Sequence, residues 1–417
     1  MICSILRAKA GRLIRAGALT GMLLILLISA CAKATPTPEP VTIRFAHLDF
    51  DEVYYSALAR KFNESYPYIS IELLPESWEG LYNLRAGDAD VFVSQSVREQ
   101  QQKGDILALD QWIESDKGFD LADFYPDTAG LFAIEGKTWA IPAWIDPEVM
   151  FYNRDLFDKY GVPYPKIGWT WEDFLDCARS IRDPEADVFG CVVPNVYDTM
   201  NFIYQHGGRL YDDWRNPTRT TYDDPLTIEA LEWFAKLIHE YNVIPTSEQA
   251  SKAFGGAAQM SAYYGIYQGK VGMWTGIHSD RGGQNWQQEW SFRWGMTTLP
   301  RDARSATWVR VEGLVISFQA QRPDACWRWI AFLSGQIPNR FASARKSLAE
   351  SSAYEQLVGS EVAAVARASM ASELLLLPTG AGSPEESRIL GQALEEIISG
   401  RSTPLEAMRR AQQQLQK

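Results

Sequence analysis

The whole chain of 417 residues carries only four histidines, His47, His206, His239 and His278, and no His-Glu-x-x-His, Cys-x-x-Cys or Gly-x-Ser-x-Gly run. Zinc hydrolysis and serine-nucleophile chemistry therefore lack their parts. Gly136-Lys137-Thr138 has the ending of a phosphate loop, but Leu131 stands where the loop needs its first glycine. Asp183, Glu185 and Asp187 alternate like a calcium loop, yet Val188 takes the place of the turn glycine and Pro194 that of the closing glutamate, which leaves a solvated turn. The 52 Asp and Glu residues contain carboxylates enough for a glycosidase acid and base, but no spacing singles out a pair. Most of the fifteen Trp and 18 Tyr are accounted for by core filling, and an excess beyond it suits a protein that stacks aromatics on sugar rings. No metal and no cofactor is expected from these residue types, and glycoside hydrolysis by a carboxylate pair stays open at this point.

Such groups need a scaffold, and the periodicity describes one. Val41–Ala46 reads as a strand, Glu52–Tyr66 as a helix with Val53, Ala57, Leu58 and Phe62 inward and Pro67 as its stop, and Ile69–Leu74 and Asp90–Ser94 as two further strands. Strand, helix, strand, short crossover, strand opens an α/β lobe with a mostly parallel sheet. Thr170 with Asp173 three residues on, and Thr403 with Pro404 and Glu406, are capping boxes that start helices running to about Ile181 and Leu415, the first stapled by Trp169 on Phe174. Asp224-Pro225 and Pro323 open two more, with Ala230, Phe234, Leu237, Ile238 and Tyr241 on one stripe and Cys326, Trp329, Ile330 and Leu333 on the other. Cys177 and Cys191 have the option of pairing, with Cys326 left as a buried thiol.

Arg7, Lys9, Arg12 and Arg15 precede the apolar run Met22–Ile28 with no acidic residue among them, the order of a secretion signal. The apolar stretch is shorter than the roughly 20 residues of a bilayer span. It ends in Ile28-Ser29-Ala30-Cys31, which resembles the bacterial lipobox and implies a lipidated Cys31 after cleavage of residues 1–30. Residues 31–40, with three alternating prolines, read as an extended spacer. Removing residues 1–30 takes four of the 40 Lys and Arg and none of the acids, leaving 36 against 52 and a net charge of −16. So acidic a surface argues against nucleic acid and anionic membranes as partners.

Several blocks, in order, resemble the extracellular solute-binding proteins of bacterial ABC importers, the carbohydrate-binding family that includes maltose-binding protein. They are Phe62–Glu72 around Tyr66-Pro67, Gly136–Pro142, Met150–Phe157, Gly161-Val162-Pro163, Trp169–Phe174, Gln205–Leu210, Gly269–Gly276, Trp294–Pro300, Gly313–Ser317 and the closing helix from Gly400 to Leu415. One departure is the short connection from Trp78 to Asp90, with room for about one helical turn. The resemblance implies a periplasmic-binding-protein-like type II fold: two α/β lobes joined by hinge strands, with ligand in the cleft between them. The first lobe would comprise 41–145 plus 302–345 and the second 146–301 plus 346–417, with crossings near Ala143–Pro147, Leu299–Arg301 and Arg345. It further implies a monomeric, lipid-anchored receptor on the outer face of the cell membrane, handing a carbohydrate to permease subunits. A secreted carbohydrate-active hydrolase, or a receptor for a polyamine or peptide, is the alternative.

Loops after strand ends face the cleft of an open α/β sheet, which selects His47, Asp49, Gln95, Trp144 and Asp146. The resemblance adds Trp274 and His278 in the block after Gly272, and Trp308, Arg310 and Glu312 before Gly313. Carboxylates and Arg forks make strong hydrogen bonds to sugar hydroxyls, and Trp faces supply apolar area. Trp274 has core filling as its rival reading, and Arg310 with Glu312 a surface pair on one face of a strand.

Overall fold

The computed structural model describes residues 39–213, 217–284, 286, 288–338, 340–375 and 384–416. The signal segment, Cys31 and the spacer up to residue 38 lie outside the described residues. The chain divides into two units, 1–41 and 42–417, and the second holds the sheet, its helices and the core.

Eleven described strands are β1 (Val41–Leu48), β2 (Ile69–Glu76), β3 (Val91–Ser94), β4 (Ala133–Ile134), β5 (Lys137–Thr138), β6 (Ile141–Asn153), β7 (Phe189–Val192), β8 (Val271–Ile277), β9 (Trp294–Thr297), β10 (Ala306–Ile316) and β11 (Glu373–Leu375). Nine form one sheet in the order β2-β1-β3-β10-β6-β8-β7, with β11 beside β10 and β9 beside β6. β1 and β3 are parallel, as the opening strand-helix-strand pattern requires, and so are β7 and β8. The helix between β1 and β2 spans Glu52–Ser65, and the short connection after β2 holds one helix, Trp78–Asn83.

β6 is the longest strand and changes neighbours along its length. Ile141–Pro147 pair antiparallel with β10, whereas Glu148–Asn153 pair with β8 and β9. β10 does the same in reverse: Ala306–Trp308 pair with β11, and Gly313–Ile316 with β3. Both strands are buried almost throughout, yet their central parts alternate, Asp146 and Glu148 between Ile145, Pro147 and Val149 on β6, and Arg310 and Glu312 about Val309 and Val311 on β10.

The helices form where their caps lie. Thr170 and Thr403 complete capping boxes, the first with its staple of Trp169 edge-on to Phe174 at 5.8 Å. The helices run over Trp171–Ile181, Pro225–His239, Pro323–Ser334 and Pro404–Leu415, with the anticipated stripes inward except for half-buried Tyr241. Gly190 of β7 leaves room for Ala178 of the first of these, whose backbone would sit 2.2 Å from an added Cβ. Gly136-Lys137-Thr138 belongs to the β4–β5 hairpin, whose turn residues Glu135 and Gly136 both have positive φ, 53° and 76°, the backbone of a tight two-residue loop. Asp183 folds back on the backbone N–H groups of Glu185 and Ala186, a solvated turn. Cys177, Cys191 and Cys326 are free thiols, so the optional disulfide is not formed. Among the described residues no helix is long and apolar enough to cross a membrane.

Candidate ligand-binding site

Side chains alternate across a strand, so Trp144, Asp146 and Glu148 leave β6 on one side. Arg310 lies level with Asp146 and Glu312 with Trp144. The same register carried on brings Trp308 level with Glu148. Between Glu312 and Gly313 the register slips by one residue, so that Gly313 opposes Pro142. This bulge twists the pair and sets the aim of Trp144 and Glu312. Gly313 is required there, because an added Cβ would lie 2.6 Å from that of Ala140.

Six side chains from two strands thus share one face, and their bonds tie it together. The buried Asp146 carboxylate accepts from the Ser279 N–H at 2.9 Å and its hydroxyl at 2.7 Å, and from Arg310 Nη2 at 3.1 Å. Arg310, about a third exposed, also lies 5.7 Å from the centre of the Trp144 ring. Glu312 accepts from Gln95 Nε2 at 2.6 Å, and Glu148 from Asn201 Nδ2 at 2.7 Å, while Asn201 also accepts from the Trp308 N–H at 3.1 Å. Trp144 stacks flat on Phe341, ring centres 3.7 Å apart and planes within 5°.

Burial dominates the electrostatics of this face. It pushes the Glu312 carboxyl up to about 8 despite the Gln95 bond and the Arg310 charge, so the group holds its proton at neutral pH. Burial also raises Asp146, against the pull of Arg310 and Ser279. Glu148 is driven well above the carboxylate range by burial and by the Asp198 charge, and burial lifts Asp198 itself to about 7.

Four polar atoms on this face are enclosed and have no hydrogen-bond partner among the described residues: Trp144 Nε1, Glu148 Oε1, Trp308 Nε1 and Glu312 Oε2. Buried polar groups are nearly always paired, so such a row is where a ligand would complete the bonds. Gaps of about 30 Å³ at Gln95 and Glu312 and about 20 Å³ beside Trp144 hold no more than a water each.

Of the residues singled out in the sequence, Trp144, Asp146, Trp308, Arg310, Glu312 and Gln95 are brought together. His47 is fully buried, its Nδ1 2.8 Å from the Leu48 carbonyl and its ring against Tyr55. Asp49 is exposed and turns its carboxylate to the Phe50 N–H. Trp274 is fully buried among Phe151, Trp290 and Phe292, and is a core residue. His278 is enclosed and faces Arg281, and burial with that neighbouring charge drops its imidazole to about 3. Glu148, Asn201, Ser279 and Phe341 were not anticipated. Glu148 had a signal, two residues beyond Asp146 on one strand, whereas the other three come from distant segments with none.

The family profile described as bacterial extracellular solute-binding protein matches residues 50–336. This chain belongs to that family. Among curated relatives, the arabinooligosaccharide-binding protein of Halalkalibacterium halodurans is 26% identical over 217 residues, 48% of this chain and 45% of that one. An uncharacterised lipoprotein of Streptomyces antibioticus is 24% identical over 270 residues, 60% of this chain and 57% of that one. The chain thus spans about half the length of these relatives. Among solved structures, an ABC substrate-binding protein of Listeria monocytogenes in complex with cycloalternan superposes with a TM-score of 0.72 at 20% identity, over 90% of this chain and 98% of that one. The fold is the type II binding-protein fold, two α/β lobes joined by hinge strands with an interlobe cleft. In this solute-binding protein β6 and β10, which exchange neighbours along their length, are the strands that fit the hinge, and the polar face they carry is the candidate cleft floor.

Proposed function

We propose that this solute-binding protein captures a carbohydrate, an oligosaccharide or sugar derivative, in its interlobe cleft and hands it to the membrane subunits of an ABC importer without chemical turnover. The reading rests above all on the row of enclosed, unpartnered atoms on Trp144, Glu148, Trp308 and Glu312. It mixes donors and acceptors, as a polyol's hydroxyls do, and it lies between two indole rings, which offer apolar area to sugar C–H faces. The ligand contacts are Trp144, Asp146, Glu148, Trp308, Arg310, Glu312 and Gln95, with Asp49, His47 and His278 at the margins. Relatives named for oligosaccharide binding point the same way. The lobes are 41–145 plus 302–345 and 146–301 plus 346–417. The protein works as a monomer outside the membrane, held by lipid on Cys31, and a relative named as a lipoprotein supports the anchor.

Tryptophan fluorescence and thermal shift against mono-, di- and oligosaccharides test the ligand class, because two indoles border the site. Saturable binding of at least one sugar is expected, and silence across the panel would sink the proposal. Chromatography of a bound sugar after long incubation should return it intact; cleavage products would instead make the protein a hydrolase. Cys31→Ser should abolish incorporation of labelled fatty acid, and undiminished label would remove the anchor.

A further inference from the structure

The short connection after β2 presents an aromatic side chain that the face of β6 and β10 does not use. Ser77 caps its helix by accepting from the Gly80 N–H at 3.1 Å, and the helix runs only over Trp78–Asn83. Leu81 is buried, so Tyr82, about 100° further round the helix, leaves on the outer side and is 62% exposed. Its hydroxyl donates to Glu99 Oε2 at 3.5 Å, on the helix Val97–Lys103 that follows β3, so the phenol ring reaches from one helix to the other.

Tyr82 borders the gap of about 30 Å³ at Glu312, whose wall is otherwise Leu81 and the end of β3. That wall is held in place by its own bonds. The Ser94 hydroxyl donates to Gln100 Oε1 at 2.7 Å and accepts from the Ser96 N–H at 3.0 Å, while Gln95 Nε2 donates to Glu312 Oε1 at 2.6 Å. Glu312 Oε2, on the same gap, is enclosed and has no hydrogen-bond partner among the described residues. An exposed tyrosine is ordinary by itself, and so is a water-sized gap. Here an apolar ring and an unsatisfied buried oxygen border one opening. We infer that Tyr82 is the platform for one sugar ring of the ligand, which lies on the phenol face and sends a single hydroxyl into the gap to Glu312 Oε2.

The volume decides the pose, because a gap of that size admits one hydroxyl and not the ring. A sugar hydroxyl both donates and accepts, so it completes the bond whichever way the carboxyl's proton lies. The phenol ring supplies apolar area to the C–H face of the sugar, and its bond to Glu99 fixes the ring beforehand. Trp308 stands four residues before Glu312 on β10, about 13 Å along an extended strand, which is longer than a single sugar ring. A ligand that reaches from the Tyr82 platform to the Trp308 indole is therefore a disaccharide or longer. The inference rests on the reading of the protein as a sugar receptor.

Its test is titration calorimetry with mono-, di- and trisaccharides of glucose, galactose, mannose, xylose and arabinose, on the parent, Tyr82→Ala and Tyr82→Phe, each checked by melting temperature. At least one di- or trisaccharide should bind about 10-fold or more tightly than its monosaccharide, and Tyr82→Ala should remove about 10-fold of that affinity while Tyr82→Phe keeps it. With the parent protein alone, one mono-deoxy form of that sugar should bind about 10-fold more weakly, the cost of leaving Glu312 Oε2 unsatisfied. If sugars bind and Tyr82→Ala changes nothing, or Tyr82→Phe loses as much as Tyr82→Ala, the platform is overturned and the sugar receptor stands. If no deoxy form is weakened, the inserted hydroxyl is overturned, and if the monosaccharides bind as tightly as the longer sugars, so is the span to Trp308. If nothing in the panel binds the parent, the receptor reading fails and takes the platform with it.

Discussion

Glu312 keeps a proton at neutral pH because burial lifts its carboxyl to about 8, so it can donate to a ligand through one oxygen while the other accepts from Gln95. The folded state then holds a proton between pH 4.5 and 8 that the unfolded chain has lost. A raised carboxyl of this kind stabilises the fold fully at the acid end and loses that contribution as pH climbs through about 8. Glu312→Gln keeps the shape and the Gln95 contact and removes the titration. Urea denaturation at pH 5 and pH 8 should show the variant losing less stability over that interval than the parent, by a few kcal/mol at most. Equal losses would mean that Glu312 is ionised in the folded state. Trp308 is half-buried and joined by its N–H to Asn201, so Trp308→Ala should weaken sugar binding at least 10-fold and move Tm by only a few degrees, read by calorimetry. The sequence marked Trp144, Asp146, Arg310 and Glu312 through strand-end geometry and family resemblance. It missed Asn201 and Ser279, because a partner that arrives from a remote helix or turn leaves no trace in the local pattern. Trp274 showed the opposite problem: an indole in a ligand-bearing block looks the same in sequence whether it faces a ligand or the core.

The helices announced themselves because a cap is a local bond. Thr403 accepts from the Glu406 N–H at 3.3 Å and the Glu406 carboxylate returns to the Thr403 N–H at 3.1 Å, all within four residues. Thr403→Ala should cost about 1 kcal/mol in denaturant unfolding and leave sugar affinity unchanged, since no described site residue touches that helix start. β6 and β10 are the reverse case. Their exchange of neighbours depends on strands remote in the chain, at the least 67 residues away, as β11 is from its partners on β10. The bulge at Gly313 was illegible for the same reason, although it controls where Trp144 and Glu312 point. Gly313→Ala would place a methyl 2.6 Å from Ala140 and 3.1 Å from Phe132. It should lower stability by about 1–3 kcal/mol and also reduce sugar affinity, a pairing that separates it from Thr403→Ala. Unchanged affinity in a Gly313→Ala variant that has lost stability would detach the bulge from the site.

Across the whole molecule the question is whether this row of groups can drive closure. Moving a two-lobed protein from 1:99 to 99:1 closed takes about 5.5 kcal/mol of differential affinity. Four enclosed polar atoms, completed at about 1–1.5 kcal/mol each, supply about 4–6 kcal/mol, and stacking on the indoles adds to that. The contributions reach the closed state alone only if a ligand must touch both lobes at once. The face meets that condition if Trp144, Gln95, Trp308 and Glu312 belong to one lobe and Glu148 and Asn201 to the other, as the proposed lobes 41–145 plus 302–345 and 146–301 plus 346–417 would have it. Small-angle scattering of the parent protein should then show a radius of gyration that falls in step with ligand occupancy. Trp308→Ala, at a sugar concentration high enough to saturate it, should show a smaller fall, because part of one lobe's share of the differential contact is gone. A saturating sugar that leaves the radius unchanged would mean that binding is confined to one lobe, and the coupling between capture and delivery would have to lie elsewhere than in β6 and β10.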